Sequence, residues 1–301
     1  MLPIPEVVRT RAINQGAQSW LAGLDELVTV LCAEWGVRLG AVLDGGTAAL
    51  VATVRLADGT QAVLKVVPPY LEFLDQLRLL ELAGGHGYVR VLRSRPDAGA
   101  VLLERLGARL ETAGDVEFRL GVLWRLLPEA WRVPTDAYLG QSWDKAEGLG
   151  RMITELWPAL GQPCPEPVIE AALGCADRRA RAGDQVVVHG DPHPANALRV
   201  LAPRPGSVAG HVFIDPEGFL CDPAYDVGVT LRDWTAVLLA EADPRGWMDA
   251  HCAVAAERTG LDRQAIRDWT FLERVSSGLF ICQVADPDHG IGFLRTAELL
   301  L

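Results

Sequence analysis

Apolar and polar positions along the chain move from a helical period to a strand period and back. From Trp20, the residues Leu21, Leu24, Leu27, Val28, Leu31 and Trp35 recur at helical spacing, and Gly36 is placed to end the run. Residues 5 to 18, just before, carry no firm pattern. Residues 37 to 43, 49 to 56 and 61 to 67 read as strands. The last two are joined by Ala57-Asp58-Gly59-Thr60, where Asp-Gly between apolar runs is a hairpin signal. Pro68 and Pro69 break the third strand, and 71 to 83 reads as a helix closed by Gly84-Gly85. A further strand pair is predicted over 88 to 93 and 100 to 106, turning through Arg95-Pro96-Asp97-Ala98-Gly99.

Beyond Gly107 the strand signals thin out. Helices are predicted over about 116 to 131, 142 to 159 and 166 to 182, with breaks at Pro158 and from Pro163 to Pro167. A short strand pair joined by Ala202-Pro203-Arg204-Pro205-Gly206 comes next, and three more helices follow near 226 to 241, 245 to 259 and 263 to 284. No internal repeat is apparent. With 301 residues the chain exceeds one ordinary core, which favours two lobes. The change of composition places their boundary so that 1–106 forms a nucleotide-binding lobe and 107–301 a catalytic and substrate-binding lobe. The expected fold class is α+β, an antiparallel β-sheet lobe with helices followed by a mainly helical lobe.

Composition narrows the possible partners. Half the residues are hydrophobic and 22% are charged, a globular balance. A net charge of -11 argues against sequence-independent binding to nucleic acid or to an anionic membrane, and is compatible with a cationic small substrate. The six cysteines form no C-x-x-C pair and do not cluster with histidine, so a zinc site is not expected. No signal-like apolar core follows the N-terminus, and no run reaches the length of a membrane span. The expectation is a cytoplasmic monomer or homodimer with reduced thiols.

The chemistry is concentrated in Val187-Val188-His189-Gly190-Asp191-Pro192-His193-Pro194-Ala195-Asn196 and, on the next strand, Phe213-Ile214-Asp215-Pro216-Glu217-Gly218. An Asp after an apolar run, an Asn five residues on and a second strand-end Asp follow the order in which protein kinases set their base and magnesium ligands. Asp191 is placed to accept the proton of an attacking hydroxyl, and Asn196 and Asp215 offer the hard oxygen ligands that Mg2+ prefers. Pro192 and Pro194 restrict the loop that aims them. An ordinary Asp/Pro/Asn turn would share some of these residues but has no need of the full set.

Lys65 lies in an apolar strand, on the face of Val63 and Val67. A lysine there is costly without a partner. It is either an edge-strand guard against aggregation or, given the downstream loop, an amine gripping nucleotide phosphates. Asp44-Gly45-Gly46-Thr47 is either a plain turn or a loop whose backbone N–H groups approach phosphate oxygens. In the helix over 71 to 83, Asp75 falls within the stripe of Leu71, Leu79 and Leu82, whereas Glu72 falls in the first turn, so both remain candidates to pair with Lys65.

Together these pieces resemble the aminoglycoside phosphotransferases, and within them the branch of streptomycin 6-phosphotransferase and hydroxyurea phosphotransferase. The resemblance is carried, in family order, by Trp20-Leu21-Ala22-Gly23-Leu24, Gly45-Gly46-Thr47, Ala57-Asp58-Gly59-Thr60, Val63-Leu64-Lys65 and Leu102-Leu103-Glu104-Arg105-Leu106. It continues through the His189 to Asn196 loop, Ile214-Asp215-Pro216-Glu217-Gly218 and Asp222-Pro223-Ala224-Tyr225-Asp226. It implies a two-lobed protein-kinase-like fold and an ATP-dependent, magnesium-dependent O-phosphotransferase that modifies a streptomycin-like antibiotic and confers resistance. By that resemblance Asp191 is the general base, Asn196 and Asp215 bind Mg2+, and Gly45, Gly46, Thr47 and Lys65 hold the ATP phosphates. Glu72 pairs with Lys65, Glu104, Arg105 and Leu106 meet adenine through the backbone, Asp226 supports the loop from behind, and His189 orients it. The helices bearing Trp124, Trp131, Trp143 and Trp157 match the branch poorly, as does the chain after Asp233. For a cationic acceptor the expected carboxylates are Glu217 and Asp233, with Asp286 and Asp288 on segments that the family turns toward its substrate. The alternatives are a sugar or amino-alcohol kinase of the same fold and a nucleotide-binding pseudokinase.

Overall fold

The computed structural model describes residues 2–43, 49–68, 72–138, 144–181 and 183–301, with Glu72 described in its backbone alone. The expected phosphate contacts of Gly45, Gly46 and Thr47 and the Glu72 carboxylate therefore lie outside the described residues.

Two helices open the chain, α1 (Glu6–Asn14) and α2 (Gln18–Trp35). Only Val8 and Ala12 of α1 are buried, too sparse a stripe for periodicity to announce the helix. α2 stops where Gly36 turns left-handed, at φ 63°. Then come β1 (Arg38–Val42), β2 (Leu50–Arg55), β3 (Gln61–Val66), α3 (Glu72–Ala83), β4 (Val91–Arg95) and β5 (Ala100–Glu104). The five strands form one antiparallel sheet in the order β1-β2-β3-β5-β4. Period-two alternation sorts its faces. Leu50, Val54, Leu64, Val66 and Leu102 pack with Leu24, Val28 and Leu31 of α2 in one core. Val63, Val101 and Leu103 join the other core, with Phe73, Leu77 and Leu80 of α3. Lys65 sits on that second side, opposite Val51 in register.

β6 (Leu106–Arg109) begins two residues after β5 ends, in a different sheet. It is followed by α4 (Val116–Ala130), α5 (Lys145–Ala159), α6 (Glu166–Arg179), β7 (Val186–Val188), β8 (Ala197–Val200), β9 (His211–Phe213) and β10 (Phe219–Cys221). The strands make a β6-β8-β9 sheet and a β10-β7 pair. The helices α7 (Ala224–Arg232), α8 (Thr235–Ala240), α9 (Pro244–Thr259), α10 (Arg263–Val284) and α11 (Pro287–Glu298) complete the chain. A β-sheet lobe followed by a mainly helical one is the architecture expected from the sequence.

Three expectations need correction. The strand read over 88 to 93 lies at Val91–Arg95, because the residues before it pair elsewhere. Tyr88 bridges Phe213 in parallel, and Val89 N–H donates to Phe213 O at 2.8 Å, so this segment stitches the two lobes together. The single helix expected over 226 to 241 breaks at Asp233-Trp234, where the Trp234 indole N–H donates back to Thr230 O at 2.8 Å. α11 was not anticipated, although Asp286 before Pro287 is a start signal, an N-cap followed by proline at N1.

α10 is the central helix of the second lobe. It is buried over most of its length, including the charged Asp268, Glu273 and Arg274. Asp268 meets Arg178 at 2.7 Å, and Arg274 donates to Leu231 O at 3.0 Å and Thr296 Oγ1 at 2.7 Å, so these charges are spent on packing.

A second tie between the lobes runs through Arg204, which donates to Gly85 O at 2.6 Å, to Tyr88 O at 2.9 Å and to the Glu104 carboxylate. Its removal leaves two carbonyls and a largely buried carboxylate short of donors. Arg204→Ala is expected to lower stability by roughly 3–5 kcal/mol, the cost of breaking one side of a buried ion pair. Urea unfolding monitored by circular dichroism measures this, and a loss below about 1 kcal/mol would show that the tie is dispensable.

Candidate active site

The β7 strand delivers His189, Gly190 and Asp191 to the floor of a cleft, and a short 3-10 turn over Pro194–Asn196 feeds β8. The loop is held from beneath by Asp226. One carboxylate oxygen accepts from His189 N–H at 2.8 Å and from the Trp131 indole N–H at 2.8 Å, and the other accepts from Gly190 N–H at 2.9 Å. Burial pushes the Asp226 carboxyl up to about 6, against the pull of its three N–H donors. His189 is buried, and burial lowers it to about 4, so the ring is neutral. Its Nδ1 accepts from Asp191 N–H at 3.1 Å while Nε2–H faces Ile214 O at 3.0 Å, joining the loop to the segment that bears Asp215. Gly190 has φ 92°, and a Cβ there would lie 2.7 Å from that of Glu217, so glycine is required where the loop crosses this segment.

Asp191 has a partner on each oxygen, Arg232 at 3.0 Å and His193 at 3.2 Å. Burial alone would raise its pKa, but the His193 hydrogen bond and the Arg232 charge outweigh it and hold the carboxyl well below the usual range. Asp191 is therefore ionised, as a proton acceptor must be. Asn196 donates its amide N–H to Asp191 O at 3.0 Å, which leaves Oδ1 as the group it can offer a cation.

Asp215 follows β9 in a left-handed backbone conformation, φ 53°, a sparsely used region that aspartate tolerates better than most residues. Ile214 N–H donates to Asn196 O at 2.9 Å, which brings the two predicted metal ligands side by side. The Asp215 carboxylate meets Lys65 Nζ at 2.6 Å. Burial opposes its ionisation, but Lys65 prevails and lowers the pKa. The carboxylate keeps 47% of its side chain accessible and is held ionised by Lys65. Two neighbouring oxygen donors, one anionic, fit Mg2+, which takes one or two protein ligands beside phosphate oxygens and water.

Glu104 shows a further role. Its carboxylate accepts from Arg90 N–H and from Arg204, and its own N–H donates to Arg90 O at 3.0 Å. Arg105 and Leu106 occupy the crossing from β5 to β6. Of the acceptor carboxylates, Glu217 and Asp233 both line a cavity of about 680 Å³ that opens beside Asp191. Burial in that cavity pushes Glu217 up to about 6, with Lys145 pulling the other way from 4.0 Å. Asp233 is bound to Arg232 at 2.8 Å. Asp286 and Asp288 stand apart: Asp286 caps α11 by accepting from Asp288 N–H, and the cavity is reached instead by His289 and Phe293.

Three charged residues of this cavity escaped the sequence reading. Lys145 stands at the first position of α5, where the helix dipole disfavours a cation, and that broken rule was its signal. Its amine lies over the rings of Phe219, at 5.0 Å, and Tyr225, at 5.2 Å. Arg232, in the last turn of α7, looked like an ordinary complement to the dipole. Glu273, 3.4 Å from Arg232, is hidden in the middle of α10.

Known proteins resemble this chain in sequence and in fold. Residues 35–118 match the family model described as aminoglycoside/hydroxyurea antibiotic resistance kinase. The chain is 30% identical to streptomycin 6-kinase of Streptomyces glaucescens over 307 residues, covering 100% of this chain and 96% of the relative. It is 29% identical to hydroxyurea phosphotransferase of Kitasatospora aureofaciens, covering 98% of this chain and 84% of that protein. Among solved structures, the choline kinase of Streptococcus pneumoniae superposes with a TM-score of 0.60 at 16% identity, covering 92% of this chain and 98% of its own, a likeness of fold. With 30% identity to streptomycin 6-kinase over its whole length, the chain belongs to the aminoglycoside/hydroxyurea antibiotic resistance kinases.

Proposed function

We propose that the protein transfers the γ-phosphoryl group of magnesium-bound ATP to a hydroxyl of a cationic, streptomycin-like aminoglycoside. The observation that carries this reading is the placement of an ionised Asp191 at the edge of a 680 Å³ cavity that is lined also by Glu217, Asp233 and Glu273. A cavity of that size and charge suits a polycationic sugar better than a small neutral metabolite.

In this mechanism Lys65 binds ATP phosphates, exchanging part of its hold on Asp215 for phosphate oxygens. Asn196 and Asp215 would hold Mg2+, which supplies charge neutralisation on the transferring phosphoryl group. Asp191 accepts the proton of the acceptor hydroxyl as that oxygen bonds to the γ-phosphorus and the bond to the β,γ-bridging oxygen breaks, with ADP leaving. His189 and Asp226 keep the loop from drifting as charge moves, a benefit of positioning rather than of chemistry.

Asp191→Asn is expected to lower kcat by roughly 10²- to 10⁴-fold with nearly unchanged ATP affinity, and near-normal turnover would remove Asp191 from the role of base. In calorimetry, Asp215→Ala and Asn196→Ala are expected to abolish the magnesium-dependent part of ATP binding, and Lys65→Ala to weaken ATP without altering acceptor binding. ATP affinity indifferent to both Mg2+ and Lys65 would place the nucleotide site elsewhere. Acceptor KM is expected to rise with ionic strength, and Glu217→Gln to raise it more than it changes ATP KM. The decisive experiment is turnover of an aminoglycoside panel with Mg2+ and ATP, alongside resistance in a sensitive host. If streptomycin and its relatives go unmodified and no resistance appears, the acceptor assignment falls.

A further inference from the structure

We propose that the outer end of the five-stranded sheet carries an oxyanion site, in which Arg38, Arg55 and Arg105 take a phosphate group apart from Lys65. The proposal goes beyond the acceptor reading and stands whether or not an aminoglycoside is turned over. Strand register puts the three arginines in one row. Arg38 of β1 lies opposite Arg55 of β2, and Arg55 lies opposite Gln61 of β3. Ala62 pairs with Glu104, so Arg105, the next residue, falls beside Gln61. Period-two alternation sets Gln61, Val63 and Lys65 on one face, so the row is on the side of the sheet from which Lys65 reaches Asp215. Gln61 and Lys65 are four residues apart along the strand, roughly 13 Å, too far for one phosphate to bridge.

The row borders a cavity of about 400 Å³ whose lining includes all three arginines with Gly40, Thr53 and Gln61. The register of β1 shifts between Leu39 and Val42, and there Ala41 N–H donates to Thr53 Oγ1 at 2.9 Å. Gly40 passes so near that a Cβ on it would lie 2.5 Å from Thr53 Oγ1, so glycine leaves this part of the wall bare. No carboxylate lines the cavity, and among the described residues none of the three arginines forms an ion pair. Arg55 donates to Gly59 O at 2.9 Å, which uses one of its five N–H groups. Acidic residues outnumber lysines and arginines by 39 to 28, so this row is not the overflow of a basic surface. Arg38 and Arg55 stand directly opposite each other, an arrangement of like charges that destabilises a strand pair until an anion joins them. An edge strand uses charge to deter pairing, which accounts for Arg38 on β1, but Arg55 is on an inner strand and Arg105 follows another. Converging guanidinium forks match the oxygens of a phosphate, which supplies the missing negative charge and the missing acceptors together.

The test is calorimetric titration of the full chain with pyrophosphate at constant ionic strength, in a Lys65→Ala background that removes the proposed nucleotide-phosphate contact. Saturable binding is expected there, and adding Arg38→Gln and Arg55→Gln should weaken it roughly 10- to 100-fold, the worth of charged hydrogen bonds. Arg55→Lys, which keeps the charge and loses the fork, should weaken it less. With Lys65 intact, the Arg38→Gln/Arg55→Gln protein identifies the source of the phosphate. A raised ATP KM with unchanged kcat assigns the site to the polyphosphate of a nucleotide entering the cleft, and an unchanged ATP KM assigns it to a separate phosphate ester. Binding that vanishes with Lys65→Ala, that does not saturate, or that persists undiminished in the folded double variant would overturn the proposal. Arg38 and Arg55 are exposed and their replacement removes a repulsion, so the double variant is expected to keep its Tm. If circular dichroism shows it unfolded, the arginines are structural, and the proposal is likewise overturned.

Discussion

One buried carboxylate holds the chemistry in place. Asp226, fully enclosed beneath the catalytic loop, accepts the N–H groups of His189 and Gly190 and the indole N–H of Trp131. A loop that must carry an ionised aspartate cannot rely on a regular hydrogen-bond ladder, because its backbone donors point away from any strand partner. Asp226 supplies the missing acceptors from the first turn of α7 and so fixes the loop relative to that helix. The last turn of the same helix carries Arg232, which grips Asp191 from the other side. Asp191 is thereby held between two contributions of one helix.

The cleft is defined by contacts that cross between the lobes. Lys65 on β3 meets Asp215 after β9, and the Tyr88 to Phe213 bridge and the Arg204 to Glu104 pair draw the sheet down onto the second lobe. These contacts join segments far apart in sequence and serve different ends. The Arg204 pair is shielded and structural, whereas Asp215 of the Lys65 pair keeps about half of its side chain accessible. Such division lets the framework remain closed while the charges that face substrate remain exchangeable.

On the acceptor side, α10 brings buried charge where a hydrophobic helix would pack as well. Asp268 and Arg274 are absorbed by partners on α6, α7 and α11. Glu273 is buried too, and one of its oxygens lies 3.4 Å from Arg232. The cavity is also lined by the apolar Met152, Phe280 and Phe293.

Much of this protein was legible before any coordinates. The strand periods, the Asp-Gly hairpin and the helix closed by Gly36 are local, and each follows from the residues that form it. So is the spacing of Asp191, Asn196 and Asp215, which fall on one loop and one strand end. Lys65 stood out because a lysine in an apolar strand needs a reason. What remained hidden depends on residues far apart in sequence. α1 gives little signal because only two of its side chains are buried, and the break in the helix after Arg232 gives little because side-chain hydrogen bonds occupy its last carbonyls, Trp234 to Thr230 O and Arg274 to Leu231 O, rather than proline or glycine ending it. Asp233 and Glu217 are expected as acceptor carboxylates from their positions; Asp233 pairs with its own neighbour Arg232, whereas the partner of Glu217, Lys145, comes from a distant helix. Glu273 could not be told from a solvated charge, since nothing in the pattern of one helix states which face meets a cavity. The sequence determined the local elements and the order of the chemical groups. Only the tertiary structure decided which charges are neutralised and which are left for a ligand, because that depends on distances between segments that chain order does not encode.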